Sequence, residues 1–211
     1  SGIWTSADDY PYSGTYPSRT PDQTSAISGT SVDSWLEQRR GELTSRRFCY
    51  DVAFAARGGN DYGNDNDEDY KNQLKDLIRT LANGSSCQSS PIIYVTGHMP
   101  DDQRDSGSAT SDSTYVRNQT ARFVNRTRAA VNEITSEQPS LRVRFIDMYT
   151  PFVNNQATTA FPSPRWTVSS GVLDYNKIVR DGDRYHPRRL SSIYAGEVAA
   201  DQMNLSELMG L

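Results

Sequence analysis

The sequence predicts an α/β fold, a three-layer α/β/α sandwich with a central parallel sheet. Three observations carry this expectation. Short, densely apolar runs alternate with longer segments in helical rhythm, the order reads α-β-α-β-α-β followed by a long loop and a last helix, and the two longest connections leave the ends of predicted strands. Strands separated by helical crossovers run parallel, and a parallel sheet is covered on both faces.

Each element has its own warrant. Residues 30–43 (TSVDSWLEQRRGEL) open on capping residues and place Val32, Trp35, Leu36 and Leu43 near one face, which predicts a helix. Residues 51–56 (DVAFAA) form a short apolar run that ends before Gly58-Gly59, as a buried strand delivering a turn would. Residues 67–82 space Leu74, Leu77, Ile78 and Leu81 as an amphipathic helix, with Asn83-Gly84 as the stop. Residues 91–96 (PIIYVT) read as a second buried strand. Residues 114–135 carry Val116, Phe123, Val124, Ala130, Val131 and Ile134 in helical rhythm. Residues 141–147 (LRVRFID) alternate as a strand, and 190–203 close the chain as a helix. The connections at 97–113 and 148–186 exceed ordinary lengths; the second holds Phe152, Phe161, Trp166, Tyr175 and three prolines. Long loops at the carboxyl ends of parallel strands are where such sheets bind ligands.

Length and charge narrow the function. A chain of 211 residues suits one domain spanning 1–211, and its apolar runs suffice for a core despite a mean hydropathy of -0.71. A net charge of -4 with interspersed signs offers nothing to track a phosphate backbone, so nucleic acid is not an expected partner. No apolar stretch reaches the roughly 18 residues that span a bilayer. The acidic run at 65–69 is expected to cap a helix rather than to bind calcium, and neither metal nor cofactor is implied. Cys49 and Cys87 stand at or just before two predicted strands that would be neighbours, so a disulfide is expected, with two free thiols the alternative. Sequons begin at Asn83, Asn118, Asn125 and Asn204. With the cysteine pair they point to a secreted, extracellular glycoprotein.

Three strings can carry chemistry. Arg57-Gly58-Gly59-Asn60-Asp61 comes after a predicted strand: its glycines allow a sharp turn, and an asparagine amide at a strand end can donate to a developing oxyanion. The same residues also make an ordinary turn. Asp183-Arg184-Tyr185-His186-Pro187 precedes the last helix, where a carboxylate three residues before a histidine can fix its tautomer and leave the other nitrogen as general base. A surface histidine beside Arg188-Arg189 is the alternative. Ala26-Ile27-Ser28-Gly29-Thr30-Ser31 precedes the first helix, so the Gly29 N–H can add a second oxyanion donor or simply belong to a capping loop. His98, at the exit of the second strand, competes with His186 for contact with substrate.

Together these strings resemble the second, third and fifth blocks of the SGNH (GDSL-type) hydrolases, in their order and approximate separation, over nearly the whole chain. The resemblance implies a flavodoxin-like sheet and a Ser-His-Asp serine esterase, with His186 the base, Asp183 its orienting acid, and Gly29 and Asn60 the oxyanion donors. Gly59, His98 and Trp166 are expected at the substrate. The family's first block, Gly-Asp-Ser at the end of a central first strand, does not occur in these residues. Ser1-Gly2-Ile3 resembles the stretch just after that block in the family, where a glycine lies four residues past the nucleophile. The nucleophile is then expected three residues before Ser1, on an N-terminal fragment of the same precursor retained as a separate chain in the sheet. Ser1 itself as nucleophile fits that spacing less well.

With that serine the reaction is hydrolysis of lipid or carbohydrate acyl esters. The competing expectation is a catalytically inactive SGNH-like module that binds carbohydrate or protein through the aromatic loop. A nucleotide-binding domain would need a phosphate-cradling glycine loop that the sequence lacks.

Overall fold

The structure is a computed structural model, and it describes residues 31–46, 50–56, 61, 66–85, 90–100, 113–179 and 187–209. It is mixed α/β, with three parallel strands and helices between them. In chain order the elements are α1 (Val32–Arg46), β1 (Val52–Ala56), α2 (Asp67–Gly84), β2 (Ile92–Thr96), α3 (Ser113–Glu137) and β3 (Arg142–Ile146). After them come α4 (Thr150–Val153), α5 (Tyr175–Ile178), α6 (Arg189–Gln202) and α7 (Leu205–Leu208). The strands pair in the order β1-β2-β3, with Phe54 beside Tyr94 and Tyr94 beside Arg144. Contacts divide the chain into two compact units. One is built on the described parts of 19–98, 122–146 and 204–211, the other on those of 99–121 and 147–203.

The first unit holds the sheet. Alternation along each strand sends Ala55, Ile93, Val95 and Val143 to one face, where they join Trp35 and Leu36 of α1, Tyr70, Leu74, Leu77 and Ile78 of α2, and Phe123, Val131 and Ile134 of α3 in one core. On the opposite face Ile92, Tyr94 and Ile146 are buried, while Phe54, on the outer strand β1, is 54% exposed and stacks on Tyr94 with ring centroids 5.4 Å apart. Farther along that face, the guanidiniums of Arg142 and Arg144 meet Glu207 of α7 at 3.4 and 2.8 Å. Helices α2 and α3 are laced by ion pairs from Lys71 and Lys75 to Glu133 and from Lys75 and Arg79 to Glu137. The described residues of the acidic run lie at a helix start. Asn66 caps α2 by accepting from the N–H groups of Glu68 and Asp69, and Asp67, Glu68 and Asp69 fill the first turn.

The second unit gives order to much of the long loop. Just before α4, the Asp147 carboxylate accepts the N–H groups of Tyr149 and Thr150, and Gln202 in α6 holds the backbone N–H and C=O of Asp147. Phe152, Trp166, Leu173, Ile178, Val179, Tyr194 and Val198 form a second core. Trp166 and Tyr194 rings lie 5.2 Å apart, and the Tyr194 hydroxyl shares its proton between the carbonyls of Pro151 and Gln156. Asn155 takes a left-handed backbone (φ 49°) and clamps Trp166 and Thr167 with its side chain. A bridge between Thr167 and Leu173 and a left-handed Gly171 (φ 77°) complete a small hairpin. Phe152 and Trp166 are therefore fully packed side chains, 0% and 3% exposed.

Candidate functional site

The carboxyl ends of β1 and β2 leave the sheet side by side, since Ala56 pairs with Thr96. After β2 the ladder continues one residue further, the Gly97 N–H donating to the Ile146 carbonyl at 2.8 Å. A methyl group on Gly97 would lie 3.1 Å from the Phe145 ring, so glycine suits this close approach. It brings out His98, which meets the buried Phe123 of α3 edge-on with ring centroids 6.4 Å apart.

Residues 57–60 after β1 lie outside the described residues, and with them Gly59 and Asn60. Asp61, next to Asn60, is described and is 3% exposed. Its carboxylate accepts the Val32 N–H at 2.8 Å, across 29 residues of sequence. Val32 is the first residue of α1, and Ser31 caps the same helix by accepting the Ser34 N–H at 3.2 Å. Two amide donors at the start of α1 are thus satisfied, one of them by a carboxylate near the positive end of the helix dipole. The link joins the last residue of the string after β1 to the first residue of α1, the helix that follows the string ending at Ser31.

Asp61 is also held from its other side. The Arg126 guanidinium, 6% exposed, donates to the Asp61 carbonyl at 3.0 Å and to the Asp67 carboxylate at 3.1 Å. It lies over the rings of Tyr70 and Phe123, 4.3 and 4.6 Å from their centroids. Partial burial pushes the Asp67 carboxyl up. The hydrogen bonds and charges of Arg122 and Arg126 outweigh that and hold it below the usual carboxylate range. Burial pushes the Tyr70 hydroxyl well above its ordinary value; it lies 3.0 Å from the Thr127 hydroxyl. One cluster of α2 and α3 side chains therefore underlies both Asp61 and His98. Nothing in the sequence singles out Arg126, whose role comes only from the packing of α3 against the loop after β1.

Gly29, Asp183 and His186 lie outside the described residues, as do Cys49 and Cys87. The residues on either side of the segment that carries Asp183 and His186 are described. Val179 and Pro187 form an antiparallel bridge, the Arg188 N–H donates to the Ile178 carbonyl at 2.8 Å, and the Ser191 hydroxyl reaches the same carbonyl at 2.6 Å. Trp166 is placed inside the aromatic core of Phe152, Phe161 and Tyr194. Asn83, Asn125 and Asn204 are exposed; Asn204 caps α7 by accepting the Glu207 N–H. No helix among the described residues is long and apolar enough to cross a membrane, and no three His, Cys, Asp or Glu among them group as metal ligands. No known family model and no curated protein sequence matches the chain.

Proposed function

We propose that the chain carries the base and oxyanion donors of an SGNH-type serine ester hydrolase with a flavodoxin-like sheet. The observation that carries this reading is the bond from the Val32 N–H to the Asp61 carboxylate. It ties the residue after Asn60 to the helix that begins three residues after Gly29, and it does so where parallel sheets hold substrates. An amide donor from each string then serves one developing negative charge. His186 takes the proton of a nucleophilic serine and returns it to the alcohol leaving group, Asp183 orients the imidazole, and water repeats the cycle to release the acid.

The serine belongs to a Gly-Asp-Ser segment of the same precursor. The outer edge of β1 is the place that suits its strand. Among the described residues no strand pairs there, Phe54 stands exposed, and the Tyr94 hydroxyl is buried without a hydrogen-bond partner. Secretion, a Cys49–Cys87 disulfide and glycans on Asn83, Asn118, Asn125 and Asn204 belong to the same proposal. Acyl esters of lipids or carbohydrates are its substrate class.

The test is labelling of the precursor-derived protein with a fluorophosphonate, paired with intact-mass analysis and turnover of p-nitrophenyl acetate. Label on a Gly-Asp-Ser serine, activity abolished in His186→Ala and a kcat loss of about 10²- to 10³-fold in Asn60→Ala are expected. Absence of both label and turnover, with the preceding segment retained, would replace the hydrolase by a binding module.

A further inference from the structure

Helix α6 is apolar on two sides. One side buries Ser191, Tyr194, Ala195 and Val198 within its own unit. The other carries Leu190, Ile193, Gly196 and Ala200, all of them exposed, Leu190 at 60% and Ile193 at 43%. Spacings of three, three and four residues make these four a continuous stripe along the helix. A surface helix that serves one core needs a single apolar side and turns a polar one outward. Gly196 adds an independent observation. Glycine in a helix interior costs stability relative to alanine. A methyl group at Gly196 would stand in open space, so the fold itself does not ask for glycine there. What glycine provides at such a place is close approach from outside.

The stripe complements itself. Its bulky residues, Leu190 and Ile193, stand in the first half of α6, and its small ones, Gly196 and Ala200, in the second. When two copies lie antiparallel about a twofold axis near residue 195, Leu190 of each meets Ala200 of the other and Ile193 meets Gly196. Side-chain ridges then fill the grooves that the small residues leave. Charge follows the same register. Arg189 and Asp201, both exposed, stand at opposite ends of the stripe, and the axis brings Arg189 of each copy to Asp201 of the other. A lipid surface requires neither this match of large with small nor this order of charge. We propose that α6 is a homodimer interface, pairing two copies of this chain antiparallel through Leu190, Ile193, Gly196 and Ala200. The proposal is independent of the ester hydrolase reading. Two helices of 14 residues bury less than the roughly 1,200 Å² at the lower end of stable interfaces, so the dimer forms reversibly and with concentration.

The test is sedimentation velocity of the precursor-derived protein from about 1 µM to about 500 µM, with circular dichroism to show that each variant is folded. Wild type passes from monomer to dimer across this range. Gly196→Leu has room within its own chain but obstructs the approach of the second copy, and it weakens association at least about tenfold. Arg189→Glu alone and Asp201→Arg alone each place like charges together twice across the axis, and each weakens association about tenfold. In an equal mixture of these two variants both contacts pair opposite charges again, and association returns to within about threefold of wild type. That recovery belongs to this register alone, and it keeps the test decisive should Gly196→Leu fail to fold. Wild type that stays monomeric at every concentration overturns the proposal. So does a dimer that a folded Gly196→Leu leaves within about twofold of wild type, or a mixture that associates no better than either charge variant by itself. A monomer that binds phosphatidylcholine vesicles, with binding lost in Leu190→Ser, also overturns it and gives this face to a lipid surface.

Discussion

At the scale of single residues, Asp61 is the most consequential side chain described. Its carboxylate stands in for a helix cap supplied from a distance of 29 residues, so local sequence gives no hint of it. The Gly-Gly-Asn-Asp string marks the neighbourhood through its turn residues, whereas the capping role depends on a contact that only folding creates. Asp61→Ala should lower stability by about 1 to 2 kcal/mol, because the Val32 N–H loses a charged acceptor in a buried setting. Asp61→Asn keeps the carbonyl oxygen and should lose much less. Urea unfolding with an unchanged m-value checks the pair, and equal midpoints for Asp61→Ala and wild type would show that the bond contributes nothing. Tyr194 plays the comparable part in the second unit, where its hydroxyl ties Pro151 and Gln156 to α6.

At the scale of elements, the helices and strands were legible because each buries a periodic set of side chains. The expected strand at 91–96 is Ile92–Thr96, the helix at 67–82 is Asp67–Gly84, and the helix at 114–135 is Ser113–Glu137. The described part of the expected loop, 148–179, was not legible as structure. Its order comes from Asn155 reaching Thr167 and from Phe152, Trp166 and Tyr194 meeting across long separations, contacts with no period. Its aromatic residues fit loop packing, which needs no ligand. Between α2 and α3, Lys71 and Lys75 converge on Glu133. The Lys71 hydrogen bond foremost, and then that of Lys75, holds the Glu133 carboxyl below its ordinary value. A depressed folded pKa means that the ion pair stabilises above the unfolded value of 4.5 and is lost as pH falls through the lower folded one. Glu133→Gln should therefore lower the urea midpoint slightly at pH 7, with the gap closing both below pH 4 and in about 1 M salt. A gap that persists in both conditions would assign the effect to packing instead of charge.

At the scale of the whole molecule, both units carry a tyrosine whose ionisation is displaced by burial, Tyr50 in one and Tyr194 in the other, each pushed up to about 12. The unfolded chain ionises tyrosine near 10, so stability is complete below that value and declines as pH rises toward 12. Absorbance at 295 nm and circular dichroism recorded together should show the last tyrosines ionising only with loss of structure; full ionisation of a folded protein would contradict the raised ionisation of Tyr50 and Tyr194. The sheet raises the larger question, because an apolar strand with an exposed phenylalanine at its margin invites a partner. If the Gly-Asp-Ser segment pairs along β1, Phe54 lies under its path and Tyr94 beside it. Phe54→Lys replaces a side chain that is 54% exposed, so the isolated fold should change by no more than about 0.5 kcal/mol. Pairing, by contrast, would lose its apolar contact and gain a charge at a margin that natural sheets protect in this way. Native mass spectrometry of the precursor-derived protein should then show the N-terminal segment retained in wild type and released in Phe54→Lys, with ester turnover lost in proportion. Equal retention would place the nucleophile's strand elsewhere than on the edge of β1.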